Sequence, residues 1–397
     1  MANSIIRIVI ERTIKSCLEK AARQYKAVAL TGPRQSGKTT LAQECFPNHP
    51  YLSLENPDFR EMALADPRGV LKRYADGCIF DEVQRAPLLL SYLQEVLDAS
   101  SETGRFILTG SQQFGMMEGI TQSLAGRCAL MTLLPLSLQE IQGSGKAPSD
   151  LDEHLFKGGY PPIFDQDLEA EQWLNGYIST YLERDVRQVS LVKDLGLFTR
   201  FLALCAGSAG QELNFSRLGA DCGVNHGTAR HWLSILEASF VVFRLPPHFK
   251  NFRKRIVKSP KLYFYDTGLL TRLLRVETPD QLFTHPLRGA LFENWVVSEL
   301  LKGRYNRWKE PNFYFWRENN GLEVDVLVDQ AGTLAPIEIK SGATVSSDWF
   351  RGLQRWERLA GRDAGRARLI YGGDRRWVRG ETEIVPWEEL SQVVNTL

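Results

Sequence analysis

Short apolar runs closed by polar residues alternate with stretches of helical spacing through the first third of the chain. Ala27-Val28-Ala29-Leu30, Tyr51-Leu52-Ser53-Leu54, Gly77-Cys78-Ile79-Phe80, Arg105-Phe106-Ile107-Leu108 and Cys128 to Leu134 read as strands. Thr39 to Glu44, Pro87 to about Ser100 and roughly Gln113 to Leu124 read as helices between them. The alternation predicts an α/β domain over 1–145. From about Ser149 to Ser208 the period lengthens: Trp173, Tyr177, Ile178, Tyr181 and Leu182 recur at three- and four-residue spacing, which predicts a helical segment over 146–210. Strand patterning returns at Phe240 to Leu245 and again in a C-terminal α/β region, 276–397, where Val324, Val326 and Val328 alternate with Glu323, Asp325 and Leu327.

The first strand is followed by Gly32-Pro33-Arg34-Gln35-Ser36-Gly37-Lys38-Thr39, then Thr40, a complete G-x-x-x-x-G-K-[ST] pattern between a strand and a helix. The two glycines let backbone N–H groups turn inward around a polyphosphate at the positive end of the helix. Lys38 is expected to reach the β and γ phosphates and Thr39 to ligate Mg²⁺, so the pattern predicts binding of ATP or a related nucleoside triphosphate.

The strand ending in Asp81-Glu82 is the usual mate of such a loop. Asp81 is expected in the Mg²⁺ shell and Glu82 as the acid that polarises the attacking water. Thr109 and Ser111 share a strand face, and either could sense the γ-phosphate. Arg127, between a helix and the next strand, is either an arginine finger aimed at a neighbouring subunit's ATP or a solvated helix-end arginine.

Composition narrows the setting. The 397 residues are 43% hydrophobic and 24% charged with a net charge of +1, enough for two to three cores and against a uniformly basic coat. Six scattered cysteines without a C-x-x-C argue against zinc and disulfides. No run approaches the length of a membrane span, and the start lacks the apolar core of a secretion signal, so a cytoplasmic location is expected.

The phosphate loop, the Asp-Glu strand, Thr109-Gly110-Ser111 and Ser123-Leu124-Ala125-Gly126-Arg127, in that order, resemble the AAA+ class. More narrowly, with Tyr181 to Val186, Lys261 to Leu269 and Phe292-Glu293-Asn294, nearly the whole chain resembles prokaryotic ATPases that join an AAA+ domain to the domain of unknown function numbered 4143. The resemblance implies a homo-oligomer, with a hexameric ring as the first expectation, and makes the 146–210 segment the helical lid beside the ATP site. Arg184 or Arg187 would be a lid sensor or part of a surface ion-pair cluster.

Ser216 to Cys222, a turn at Gly223, and Asn225 to Glu237 with Ala229, Trp232, Leu233 and Leu236 inward read as the helices of a winged-helix domain over 211–275. The run Lys250, Arg253, Lys254, Arg255, Lys258 and Lys261 would form a basic wing for DNA phosphates, a solvated hairpin, or a surface for docking on a neighbouring subunit.

Leu322 to Lys340 reads as a hairpin turning at Ala331-Gly332, with one apolar and one acidic face. A two-residue turn sets Asp325 opposite Glu338 and Glu323 opposite Lys340. Facing carboxylates call for a cation, so Asp325 and Glu338 are candidate ligands of a divalent metal and Lys340 a candidate to orient or deprotonate water. The arrangement resembles the PD-(D/E)XK nuclease core, with Glu293 as the acid from the preceding helix, although Val324 stands where the motif's proline would be. Trp316 and Trp349 are read as core residues before base-stacking ones. The reading that follows is an ATP-driven protein that remodels or processes duplex or branched DNA. The alternatives are an ATP-dependent switch that regulates a protein partner without cutting DNA, and a DNA-binding module whose ATP site controls assembly.

Overall fold

The computed structural model describes residues 9–111, 124–181, 186, 192, 194–248, 259–318 and 321–397. They form two compact units. The first comprises Met1–Leu136 with two later returns of the chain, Ala238–Val241 and Arg304–Glu310. Its strands are β1 (Ala27–Thr31), β2 (Tyr51–Ser53), β3 (Cys78–Asp81), β4 (Phe106–Gly110) and β5 (Cys128–Thr132). All pairs are parallel, in the order β2-β3-β4-β1-β5.

Helices α1 (Lys15–Gln24) and α2 (Lys38–Cys45) pack on one face of this sheet, and α5 (Pro87–Asp98) packs on the other, after α3 (Pro57–Ala65) and α4 (Pro67–Arg73). Strand β1 explains the unbroken apolar runs: Ala27 and Ala29 face the α5 core, while Val28 and Leu30 face the α1–α2 core. Helices α3, α4 and α5 each begin with proline at a position whose N–H is unpaired in any helix. The late return matters for packing. Trp308 meets Tyr25 edge-on at 5.8 Å and donates from its indole to the Leu130 carbonyl at 2.8 Å.

The second unit begins at Ser137 and holds α6 (Leu138–Gly143), α7 (Leu151–Lys157), α8 (Pro161–Asp165), α9 (Ala170–Tyr181), α10 (Leu195–Gly207), α11 (Phe215–Cys222) and most of α12 (His226–Ala238). Ala229, Trp232, Leu233 and Leu236 are buried as the spacing predicted, and His226 and Arg230 remain exposed. An antiparallel pair follows, β6 (Val242–Leu245) and β7 (Lys261–Phe264). Then come α13 (Thr267–Leu273), α14 (Asp280–Phe283) and the long α15 (Arg288–Asn306).

The remaining strands are β8 (Phe313–Arg317), β9 (Glu323–Gln330), β10 (Thr333–Lys340), β11 (Arg368–Tyr371), β12 (Trp377–Arg379) and β13 (Thr382–Pro386). With α16 (Arg351–Ala360) and α17 (Leu390–Thr396) they complete the unit, and the sheet order is β12-β13-β11-β10-β9-β8. The β9–β10 register runs from Thr333 opposite Gln330 to Ile337 opposite Val326 around Ala331 and Gly332, whose φ angles are 56° and 100°.

The acidic face of the hairpin is covered as well as the apolar one, since Asp325 and Glu338 are each 7% exposed. Trp316 is core, and Trp349 packs against the same cluster. All six cysteines are free thiols. Among the described residues, no helix is long and apolar enough to cross a membrane. Arg184, Arg187 and the basic residues Lys250, Arg253, Lys254, Arg255 and Lys258 lie outside the described residues, as does the expected helix from Gln113.

Candidate functional site

Parallel strands end on one edge, and the loop after β1 lies there. Gly32 has φ 148°, and a Cβ on it would lie 2.1 Å from the Leu133 carbonyl oxygen, so only glycine fits. Gln35 and Gly37 take φ of 62° and 92°, which turns the chain into α2. Lys38 donates to the carbonyls of Gly32 at 3.0 Å and Pro33 at 2.7 Å, folding back over the loop it serves. Arg34 is half-buried and lies 3.9 Å from Glu55, which also meets Arg85 at 3.5 Å, while Thr40 is exposed.

Arg12 was not singled out by the sequence. Its buried guanidinium donates to the Ser36 and Leu134 carbonyls, both at 2.6 Å, and so pins the loop from beneath. The Ser36 hydroxyl is buried with no hydrogen-bond partner inside the protein, an acceptor and donor left over for a phosphate.

The acids come to the same edge. Thr39 Oγ1 donates to Asp81 Oδ1 at 3.1 Å, Thr109 Oγ1 donates to the same oxygen, and the Tyr51 hydroxyl donates to Oδ2 at 2.7 Å. Glu82 adopts a left-handed φ of 56° and accepts from Ser111 Oγ at 2.9 Å and from the Gln84 amide. Because β4 lies between β1 and β3, Thr109 and Ser111 sit between the loop and the acids. Thr39 and Asp81 are thus spaced to share one hard cation, and the residues present fit Mg²⁺ with a triphosphate. Tyr51 and Gln84 gave no signal in the sequence because a phenol or amide becomes a site residue only through the strand pairing that brings it there.

Arg127 lies elsewhere. Cys128 pairs with Ala27, so Arg127 stands at the start of β5, a strand's length of about 16 Å from the loop's edge. There it makes a two-pronged ion pair with Asp98, at 2.5 and 2.9 Å, and cannot serve its own phosphate loop.

A second site forms in the other unit. Glu293 of α15, Glu323 and Asp325 of β9, Glu338 and Lys340 of β10 and Lys261 of β7 line a cavity of ≈ 750 Å³. Carboxylate oxygens of Glu293, Glu323 and Asp325 lie within 4.8 Å of one another. Asp325 accepts the Ile339 N–H at 2.8 Å and lies 3.6 Å from Lys340 Nζ, which also meets Glu338.

Lys261 departs from expectation. It is not a wing cation: its side chain is 4% exposed, with Nζ 3.0 Å from Glu293 Oε1 and in contact with Glu323. Tyr263, two residues on, donates to the same Glu293 oxygen at 2.5 Å. Arg317 flanks Glu323 at 3.6 Å. With an ammonium already between two of the acids, the residues as arranged do not fit a divalent metal.

Burial dominates the protonation of this cluster. It pushes Glu338 well above the usual carboxylate range, helped by Asp325, and pushes Glu293 up against the pull of Lys261. Burial would lower Lys340, yet Asp325 and Glu338 hold it above the ordinary lysine value. The two carboxylates thus hold Lys340 in its charged form, as a hydrogen-bond donor.

Residues 24–142 match the family described as AAA domain, residues 148–280 a domain of unknown function (DUF8612), and residues 288–390 a domain of unknown function (DUF4143). The uncharacterized proteins Rv2008c of Mycobacterium tuberculosis and Mb2031c of Mycobacterium bovis are each 33% identical over 391 residues, which span 96% of this chain and 85% of theirs. Among solved structures, the Walker-type ATPase PABY2304 of Pyrococcus abyssi aligns with a TM-score of 0.46 and 13% identity, over 68% of this chain and 96% of its own. The ADP form of ORC2 from Aeropyrum pernix aligns at 0.33 and 14%, over 62% and 90%. This chain belongs, with its mycobacterial relatives, to the family of AAA+ ATPases that carry a C-terminal DUF4143 domain.

Proposed function

We propose that this protein hydrolyses ATP with Mg²⁺ at the edge of its parallel sheet and uses the cycle to remodel or process DNA as a homo-oligomer. The contact between Thr39 and Asp81, which joins residues 42 apart in sequence, carries the reading. In it, Lys38 and the loop N–H groups bind the triphosphate, Thr39 and Asp81 hold the ion, and Glu82 orients the attacking water while Ser111 fixes its carboxylate. Mg²⁺ would supply neutralisation of the charge that develops between the β and γ phosphates. Arg127 acts on the neighbouring subunit's ATP. Residues 146–210 serve as the lid and 211–275 as a winged helix, whose basic run meets DNA phosphates.

Residues 276–397 are read as a PD-(D/E)XK-type domain, supported by Glu293, Asp325, Glu338 and Lys340 around one cavity. The reading as a switch acting on a protein partner without cleavage draws its support from Lys261, which neutralises that cluster.

ATP turnover with duplex, single-stranded and four-way-junction DNA tests the proposal. Stimulation by one form is expected, and Glu82→Gln should retain ATP while losing at least about a hundredfold in turnover, the usual scale of a lost general base. No DNA binding and no change in rate would hand the function to the switch reading. Normal turnover by Glu82→Gln would remove Glu82 from the mechanism.

A further inference from the structure

We propose that the Lys261 ammonium is the resident cation of the C-terminal carboxylate cluster and keeps divalent metal out of it. The inference rests on the PD-(D/E)XK-type reading of that domain and adds a restraint to it.

The three oxygens of Glu293, Glu323 and Asp325 have the spacing of a hard-cation site, since a divalent ion stands about 2.0–2.6 Å from each ligand oxygen. Lys261 Nζ already occupies that ground, touching Glu293 and Glu323. The amine is held in place. Lys261 is fixed by β7, where it pairs with Leu245 of β6 and bridges to Glu212, and its Nζ lies 5.5 Å from the centre of the Phe315 ring. One oxygen of Glu293 accepts from both Lys261 and Tyr263, so it is filled before any ion arrives.

A cation carried on the chain competes with a free one at a high local concentration. It also repels any second cation brought within a few ångströms. An ammonium, unlike a metal, has no open coordination position at which a water could be ionised. The cluster nevertheless has unused capacity. Glu338 Oε2 is buried on the same cavity and has no hydrogen-bond partner, an acceptor that an ion or its water shell would satisfy once Lys261 were removed.

Mn²⁺ binding to the full-length, nucleotide-free protein tests this, with wild type, Lys261→Met and Lys261→Gln compared, each with and without Asp325→Asn. Wild type should lack a site that depends on Asp325. Both Lys261 variants should gain one, at least about tenfold tighter than any wild-type binding and abolished by Asp325→Asn. Removing Lys261 takes the ammonium away from two half-buried carboxylates and weakens the fold, so Mn²⁺ should raise the melting temperature of the variants and leave that of wild type unmoved.

Asp325-dependent Mn²⁺ binding by wild type would overturn the inference and leave the nuclease-like reading standing. Absence of binding by folded Lys261 variants would overturn both. Failure of the variants to fold even with Mn²⁺ would also count against the inference, because the ion should take over the ammonium's place.

Discussion

His154 sits in α7 with its ring edge-on to Trp295 at 5.1 Å and tilted against Trp387 at 5.8 Å. Its Nδ1 is buried without a hydrogen-bond partner. Burial, with Lys302 and Lys157 adding repulsion, pushes its pKa down to about 3. An unfolded histidine titrates near 6.5, so below that pH the unfolded chain takes up a proton that the native state refuses. Stability is therefore full above about 6.5 and is lost progressively as pH falls toward 3. His154→Phe keeps a ring among the tryptophans and has no proton to gain. Urea unfolding at pH 7 and about pH 4.5 should show a smaller acid loss in the variant, by on the order of 1–3 kcal/mol. At this scale the sequence was uneven. The phosphate loop is legible because its chemistry is written in consecutive residues. Lys261 was read with the basic run beside it because its partners, Glu293 and Glu323, are distant in sequence. Arg12 is a single arginine ahead of a helix, and nothing local separates it from a surface charge.

Between elements, the close approach of α16 to β9 fixes the second site. A Cβ on Gly352 would stand 2.0 Å from the Glu323 carbonyl oxygen and 3.4 Å from Glu338 Oε2, so the helix lies against the strand with no room for a methyl group. Gly352→Ala should force helix and strand apart, costing about 1–3 kcal/mol in equilibrium unfolding. It should leave ATP binding intact, since that site is built from residues of the other unit. An unchanged unfolding curve would mean that the backbone there yields freely. The hairpin beside it was readable in register from Thr333 opposite Gln330 to Ile337 opposite Val326, because a two-residue turn leaves one pairing. Its burial was not, since the cover comes from β7, α15 and α16, and alternation along a strand cannot say what lies over its polar side.

For the whole molecule, Arg127 poses a question of assembly. It stands on the edge of the sheet away from its own phosphate loop, bound to Asp98. If it completes a neighbour's ATP site, Arg127→Ala and Lys38→Ala should each be inactive alone, and mixing them should restore part of the turnover because some interfaces then pair an intact loop with an intact arginine. No recovery would assign Arg127 to its ion pair. The α/β character and the C-terminal hairpin domain were legible from periodicity. The return of a later stretch, Arg304–Glu310, to the first unit was not, because periodicity reports neighbours along the chain and is silent on returns. That return sets a schedule for birth on the ribosome. All five strands of the sheet have been synthesised by residue 132, yet Trp308, which caps Tyr25 and the Leu130 carbonyl, is still unmade. At about 5–20 residues per second, the nascent ATPase waits on the order of ten to thirty seconds for that tryptophan. Through that interval Tyr25 and the Leu130 carbonyl go without the indole that covers them in the finished protein.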